Sequence, residues 1–529
     1  MRRALPLLLA LSVGASGCRK KAEYPPPERY LPATAPLAVV IPALGAAARQ
    51  VGALYRTVAQ APPAAQLAEA YGAVRSQLGF DPLDPRGLEQ AGVDPNGSAG
   101  FATGETPLLV LPILDLARFD STAARLARDR MGAAERIAFK VKGLEVVAFR
   151  KDSASGAALA YVAVGPHALL SPGPRGPDAV ASAALLPEER SLAKSPLFGP
   201  ARAAVGEGYL ATALAPPGSP LLSGATAARD GAALGVRASA TALGLRLALL
   251  LPPDRERWWR AVESPEGGRA PAEASRLAPD AVLLLRWAGD PSAGYRRAAP
   301  LLPADFARSL AAARLDPEKE LVAALAPGAA LSLSLAKGFT FTEFSSPRFD
   351  VRRRNPFGLL ELEAVLPLRD ASALRPFLER LQKAGPRLGV KVTPRGPSDW
   401  TVAWGMAQLG LHLAGDRLLV AGPAARLADL SGRERGGGGY QATTEAAGAA
   451  LATGLGGAVV DVDHLVHAIE GLPEAAYGSG PNAVVMRSLV DRYLEPASAL
   501  ATVSLRLDLA PGAALLDLEV VGRSAPPKP

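Results

Sequence analysis

Short motifs recur in the same order along the two halves of this chain, so whatever one half folds into, the other must also accommodate. Leu31-Pro32-Ala33, running on to Val40, lines up with Leu277-Ala278-Pro279, running on to Leu285. Asp81-Pro82 lines up with Asp316-Pro317, and Val110-Leu111-Pro112 with Val365-Leu366-Pro367. Ala168-Leu169-Leu170 before Gly173-Pro174 corresponds to Leu418-Leu419-Val420 before Gly422-Pro423, and 208–214 to 457–463. The order predicts two copies, 28–252 and 275–523, and a tail at 524–529 with nothing to order it. Between them, 253–274 carries Gly267, Gly268 and Pro271 and reads as a linker with a short helix around Trp258 and Trp259. Adjacent tryptophans cannot share one helix face, which favours packing between the copies over a ligand site.

Within each copy the hydrophobic period switches between two and about 3.6. Strands are predicted at 331–335, 359–363, 502–509 and 515–521, and Asp416-Arg417 suits a tight turn between two more. Amphipathic helices are predicted at 120–131 and 372–383, the latter with Leu374, Phe377, Leu378 and Leu381 on one stripe and Asp370 or Ser372 as its cap. The fold class is therefore α+β: two related tandem domains, each a largely antiparallel sheet covered by helices.

The copies are not equal in length. The offset between matched residues is 235 at Asp81/Asp316 and 255 at Val110/Val365, which places about 20 extra residues near 337–357. That stretch holds Phe339, Phe341, Phe344, Phe349 and Phe357, five of the thirteen phenylalanines, together with Arg348, Arg352, Arg353 and Arg354. Phe339-Thr340-Phe341 continues the preceding alternation, so a long β-hairpin is predicted. Three uses stay open: a lid on the protein's own core, a contact for an envelope protein or peptidoglycan through Phe339, Phe341, Phe344, Phe349, Arg352, Arg353 and Arg354, or a segment lying on a membrane.

The amino terminus carries an address. Met1-Arg2-Arg3 is basic and 4–13 is apolar, too short to span a membrane. Ala15-Ser16-Gly17-Cys18 resembles the lipobox of bacterial lipoproteins, whose cysteine is lipidated after cleavage just before it. The resemblance implies a signal peptide at 1–17, a lipid on Cys18, a tether at 18–27, and residence in the cell envelope. Arg19, in place of the aspartate that retains such proteins at the inner membrane, implies the outer membrane, facing periplasm or surface. With the only cysteine lipidated, no disulfide or thiolate metal site remains. Beyond residue 17 no run is apolar enough to span a bilayer. The arrangement of Leu31-Pro32-Ala33 and Asp81-Pro82, then Leu277-Ala278-Pro279 and Asp316-Pro317, also resembles a family of duplicated bacterial envelope proteins with no assigned function, which implies architecture only.

Formal charge is +8 over 529 residues, or +6 once Arg2 and Arg3 leave with the signal. This is too dilute for a nucleic-acid partner. No nucleophile elbow, phosphate loop or dinucleotide motif occurs. The four histidines give one cluster, His464 and His467 with Asp461 and Asp463, whose N and O ligands are weak candidates for an ion. The more economical reading makes 459–462 a strand and Asp463 the cap of a following helix. His167 and His412 read as structural. The expectation is a non-enzymatic, cofactor-free, lipid-anchored envelope protein that binds or scaffolds. The alternatives are a periplasmic carrier of a lipid or other apolar ligand and, third, a metal-dependent hydrolase.

Overall fold

The computed structural model describes residues 25–59, 65–223, 228–263, 273–299, 308, 310–344 and 355–523. Ten strands lie in the first half: β1 (Ala38–Ile41), β2 (Ala99–Ala102), β3 (Leu108–Pro112), β4 (Glu135–Val141), β5 (Leu144–Arg150), β6 (Ala157–Val164), β7 (His167–Pro172), β8 (Ala211–Ala215), β9 (Ala232–Ala238) and β10 (Ala242–Leu250). Ten lie in the second: β11 (Leu283–Trp287), β12 (Ala329–Leu335), β13 (Leu360–Pro367), β14 (Val390–Pro394), β15 (Asp399–Trp404), β16 (Ala407–Ala414), β17 (Arg417–Gly422), β18 (Gly456–Asp461), β19 (Leu500–Ala510) and β20 (Ala513–Gly522). Helices α1 (Leu44–Val58), α2 (Ala65–Leu78), α3 (Pro85–Gln90), α4 (Leu116–Met131), α5 (Gly176–Ala184) and α6 (Phe198–Val205) belong to the first half, and α7 (Pro253–Arg260) to the connection. The second half carries α8 (Pro291–Ala298), α9 (Pro317–Glu320), α10 (Phe341–Phe344), α11 (Ala371–Leu388), α12 (Leu427–Gly436), α13 (Glu445–Ala452), α14 (Val462–Glu470) and α15 (Pro481–Ala497).

The fold is mixed helix and strand with one large antiparallel sheet. Separate sheets were expected; instead all twenty strands join. In the first half the spatial order is β4-β5-β6-β7-β3-β2-β1-β8-β9-β10. In the second it is β14-β15-β16-β17-β13-β12-β11-β18-β19-β20, the same order shifted by ten strands. The halves meet where β10 pairs with β20, and there Arg246 stands directly opposite Asp517. These two occupy matching ladder positions, opposite Gly235 and Arg506 respectively. An approximate two-fold therefore passes through this pair, normal to the sheet, and both halves present equivalent side chains on the same face.

Local signals repeat with the topology. Asp115 starts α4 by accepting from the N–H groups of Ala117 and Arg118, and left-handed Gly132 ends it. Asp370 starts α11 by accepting from Ser372, and left-handed Gly389 ends it. Both helices cover one face of their half. Phe119, Ala123 and Ala127 pack with Phe149, Leu159 and Tyr161, while Leu374, Phe377 and Leu378 pack with Trp400, Leu411 and Leu418. On the opposite face α5 and α6 cover the first half, and α12 and α13 the second.

Ladder register corrects two sequence matches, and capping geometry corrects one helix start. Val93 bridges Ile113 as Leu325 bridges Leu368, so Asp84-Pro85, which opens α3, is the partner of Asp316-Pro317, which opens α9. Leu214 matches Val459, because they face Ala38 and Leu284 at equivalent places. The cap of α14 is Asp461 rather than Asp463. The extra residues between β12 and β13 are where spacing put them: the offset rises from 230 at Gly100/Ala330 to 255 at Val110/Val365. A second excess had no sequence counterpart in the motif matching. The offset rises from 245 at Leu214/Val459 to 271 at Ala233/Ser504, and the added chain is α14 and α15.

Candidate functional site

Along the central strands the charged side chains lie on one face, the one that the helices cover, beside the buried apolar core. The face beneath α6 and α13 carries the polar set: Thr212, Arg237, Arg246, Asp517, Glu519, Ser504, Arg506 and Asp461. The opposite face is wholly apolar. Leu234 and Val236 of β9 meet Leu247 and Leu245 of β10, which meet Leu516 and Leu518 of β20, which meet Leu507 and Leu505 of β19. The row continues through Ala213 and Val39 on one side and through Ala458, Leu285 and Leu331 on the other. From β1 to β11 it crosses eight strands, about 34 Å at the usual strand spacing.

Every leucine of this face stays part-exposed, Leu285 at 41% and Leu505 at 36%, whereas Ala233, Ala248, Leu284 and Leu515 behind them are buried. Among the described residues, helices touch the leucine face at its margins: α1 beside β9, and Trp259 and Ala293 of α7 and α8 near Trp287, Leu507 and Leu509. Trp287 also lines an apolar pocket of about 300 Å³ beneath α8, with Tyr295, Leu325 and Leu366. A soluble monomer rarely leaves so extended an apolar surface uncovered.

A second concavity, of about 900 Å³, lies on the other face between β15–β17 and α12. Its floor includes Asp399, Thr401, Gly410 and His412, and Asp399 Oδ1 lies 2.8 Å from His412 Nδ1. His412 had been read as structural. Its equivalent in the first half is Val162, since His412 faces Leu419 as Val162 faces Leu169.

The residues singled out from sequence do not gather into one site. Strand β12 ends at Leu335, so the predicted hairpin is shorter than expected. Phe339 is buried instead of continuing the alternation, and makes an edge contact with Phe341. Phe341 opens the single turn α10 with Phe344 and lies against Tyr477, so the two added segments of the second half touch. Local aromatic contacts outweigh the period-two pattern here. Phe349, Arg352, Arg353 and Arg354 lie outside the described residues. From the second added segment, α15 leaves Val484, Val485, Leu489 and Tyr493 exposed.

The four weak metal candidates each have other partners. Asp461, fully buried, accepts from Tyr440 Oη at 2.9 Å, Thr443 Oγ1 at 3.2 Å and His464 N at 3.1 Å. Burial, then the Asp461 charge, pushes the Tyr440 phenol far up. His464 Nδ1 lies 3.1 Å from the Ala281 carbonyl, His467 Nδ1 2.8 Å from the Asp463 carbonyl, and Asp463 pairs with Arg523. Among the described residues no group of three acidic, histidine or cysteine side chains converges, and no helix is long and apolar enough to cross a membrane.

Trp258 and Trp259 form α7 as expected and meet edge to face at 5.2 Å. Trp259 packs with Val262, Ala293 and Leu455 of the second half's margin, while Trp258 is half exposed.

No protein-family model and no curated protein matches the chain. Two crystal forms of TP0453 match in structure. Form I covers 47% of this chain and 92% of its own at 9% identity and TM-score 0.22. Form IV covers 50% and 95% at 8% identity and TM-score 0.23. At those scores the likeness carries no argument about this protein's architecture or work.

Proposed function

We propose that the protein is a tandem duplication of one α+β unit that serves as a non-enzymatic binding module of the cell envelope, tethered to the outer membrane through a lipid on Cys18. The leucine face holds an apolar ligand, of which a membrane lipid is the first candidate. One observation carries the reading: over eight central strands one face is wholly apolar and part-exposed, while the charged side chains of those strands lie on the face that the helices cover. Folding alone does not favour this, because leaving Leu245 and Leu518 part-exposed while Arg246 and Asp517 are held at 20% and 12% exposure forfeits hydrophobic stabilisation at ~25 cal/mol per Å². A persistent exposed leucine floor makes sense when something apolar occupies it. The 300 Å³ pocket at Trp287 is of the size and lining that takes part of an alkyl chain.

The test is gentle extraction of the full chain followed by native mass spectrometry. Wild type is expected to carry lipid, and a Leu245→Glu/Leu518→Glu variant to lose it with an unchanged unfolding midpoint. Wild type free of lipid, and unable to take it up from phospholipid vesicles, overturns the carrier reading. The tether is tested separately: Cys18→Ala should leave the membrane fraction, and its continued retention there refutes lipid anchoring.

A further inference from the structure

The two halves treat one patch of sheet in opposite ways. Under α5 the first half presents Val146, Ala148, Ala160 and Val162, all buried in its main core. Ladder register sets Asp399, Thr401, Gly410 and His412 at the same four places in the second half. Helix α5 packs across β5, β6 and β7, whereas α12 packs on β16 and β17 and leaves an open groove of about 900 Å³ toward β15. A core has become a polar cavity at the same position of the same fold.

The groove is lined by Asp399, Glu434, Arg395 and Arg435, and its two guanidinium groups are not spent on its two carboxylates. Asp399 is engaged by His412 at 2.8 Å, which leaves the imidazole Nε2 to meet a ligand. Glu434 is taken by Arg276 at 2.7 Å and Arg417 at 3.5 Å. Arg395 and Arg435 also line the groove, and among the described residues neither has an acidic partner. Arg395 Nε donates to Thr401 Oγ1 at 3.3 Å, which holds its guanidinium over the floor, and Arg435 Nε donates to the Ser431 carbonyl at 3.3 Å. Ala424, Leu427 and Ala428 supply an apolar wall.

We infer that this groove is a second binding site, for an amphipathic anion whose carboxylate or phosphate meets Arg395, Arg435 and His412 and whose short apolar body lies against Leu427 and Ala428. Guanidinium groups suit both kinds of head group, because their fork matches two oxygens at once. The site lies on the opposite face from the leucine floor and does not depend on it.

Isothermal titration of the full chain with dodecyl phosphate, dodecanoate and neutral dodecyl maltoside decides the matter. Tighter binding of either anion than of the maltoside is expected, and the stronger of the two anions identifies the head group. Arg395→Ala, an exposed change that leaves the fold intact, should weaken anion binding by about tenfold. Asp399→Val/Thr401→Ala/His412→Val, which restores the first half's residues, should abolish it. Leu245→Glu on the leucine face should leave it unchanged, so failure of the lipid-carrier reading and failure of this one are distinguishable. Equal affinity for the neutral detergent, or anion binding that survives both Arg395→Ala and Arg435→Ala, overturns the proposal.

Discussion

The covered face of the sheet holds the larger hydrocarbon core in the first half and more buried charge in the second, on the same strand order. Val40 is matched by Arg286, Ala102 by Ser332, Leu108 by Glu363 and Val162 by His412. The backbone ladder tolerates this because the buried charges of Arg286 and Glu363 have found partners, whereas the Ser332 hydroxyl has none among the described residues. Arg286 donates to the carbonyls of Thr453 and Gly454 at 2.7 and 2.9 Å, at the end of α13, where a helix favours a cation. Glu363 pairs with Arg433 and lies 3.4 Å from Arg426. Where partners were fewer, under α12, a cavity remains. Topology, then, is held by strand pairing and by the caps of α4 and α11, while the chemistry of the covered face was free to change as long as charges were matched.

The largest expected effect follows from that matching. Arg433→Leu leaves the Glu363 carboxylate, 1% exposed, with Arg426 alone at 3.4 Å, and should destabilise the protein by about 3–4 kcal/mol in urea denaturation. Adding Glu363→Leu, the residue of the first half, should recover most of the loss. If the double variant is no more stable than the single, the second half's core needs its charges and the halves are not interchangeable in this respect. Next in size, Val162→His carries the second half's residue into the first. Beneath α5 a histidine has no Asp399 and no open groove, so the substitution should cost about 3 kcal/mol by the same measurement. A neutral result would mean that α5 yields as readily as α12.

How much of this was legible beforehand depends on what each signal encodes. Alternation over 331–335 and 515–521 named true strands, and Asp370 before Ser372 named a true cap. Period two says which residues share a face, not which face is covered, so alternation alone does not tell whether the leucine row of β10 is core or surface. Two Asp-Pro dipeptides stand three residues apart, at Asp81 and Asp84, and it takes the bridge register and the capping geometry to tell that the second matches Asp316. The added α14–α15 segment went unnoticed because it interrupts no motif. His412 gained meaning only when register set it over Val162, a relation between residues 250 apart that no local pattern contains.

The junction between the halves offers a third test. Residues on a two-fold face their own equivalents, so identical copies would set Arg against Arg or Asp against Asp. Here Arg246 and Asp517 make a paired hydrogen bond at 2.6 and 2.9 Å, and Arg506 joins at 2.6 Å. Burial pushes the Asp517 carboxyl up, but hydrogen bonds from Arg246 and Arg506 outweigh it and hold the group below its usual range. A carboxyl lowered on folding stabilises the fold fully above its unfolded value, near 3.9, and loses that contribution as pH falls through the folded value. Asp517→Asn should therefore cost about 2 kcal/mol at pH 7 and progressively less as the pH is lowered below about 4. A penalty that stays constant down to pH 3 would place the stabilisation outside this ion pair.

The smallest effect is the most discriminating. His412→Val is the reverse of Val162→His, and the two would match in size if the patches were packed alike. They are not: His412 is part-exposed on a groove floor and gives up one hydrogen bond, while valine suits a strand and the freed Asp399 keeps its access to water. The change should stay within about 0.5 kcal/mol in the absence of ligand. A loss of 2 kcal/mol or more would show that the His412–Asp399 pair supports the second half as Val162 supports the first. The groove would then be a packing fault rather than a place kept open, and the contrast between the halves would reduce to two ways of filling one core.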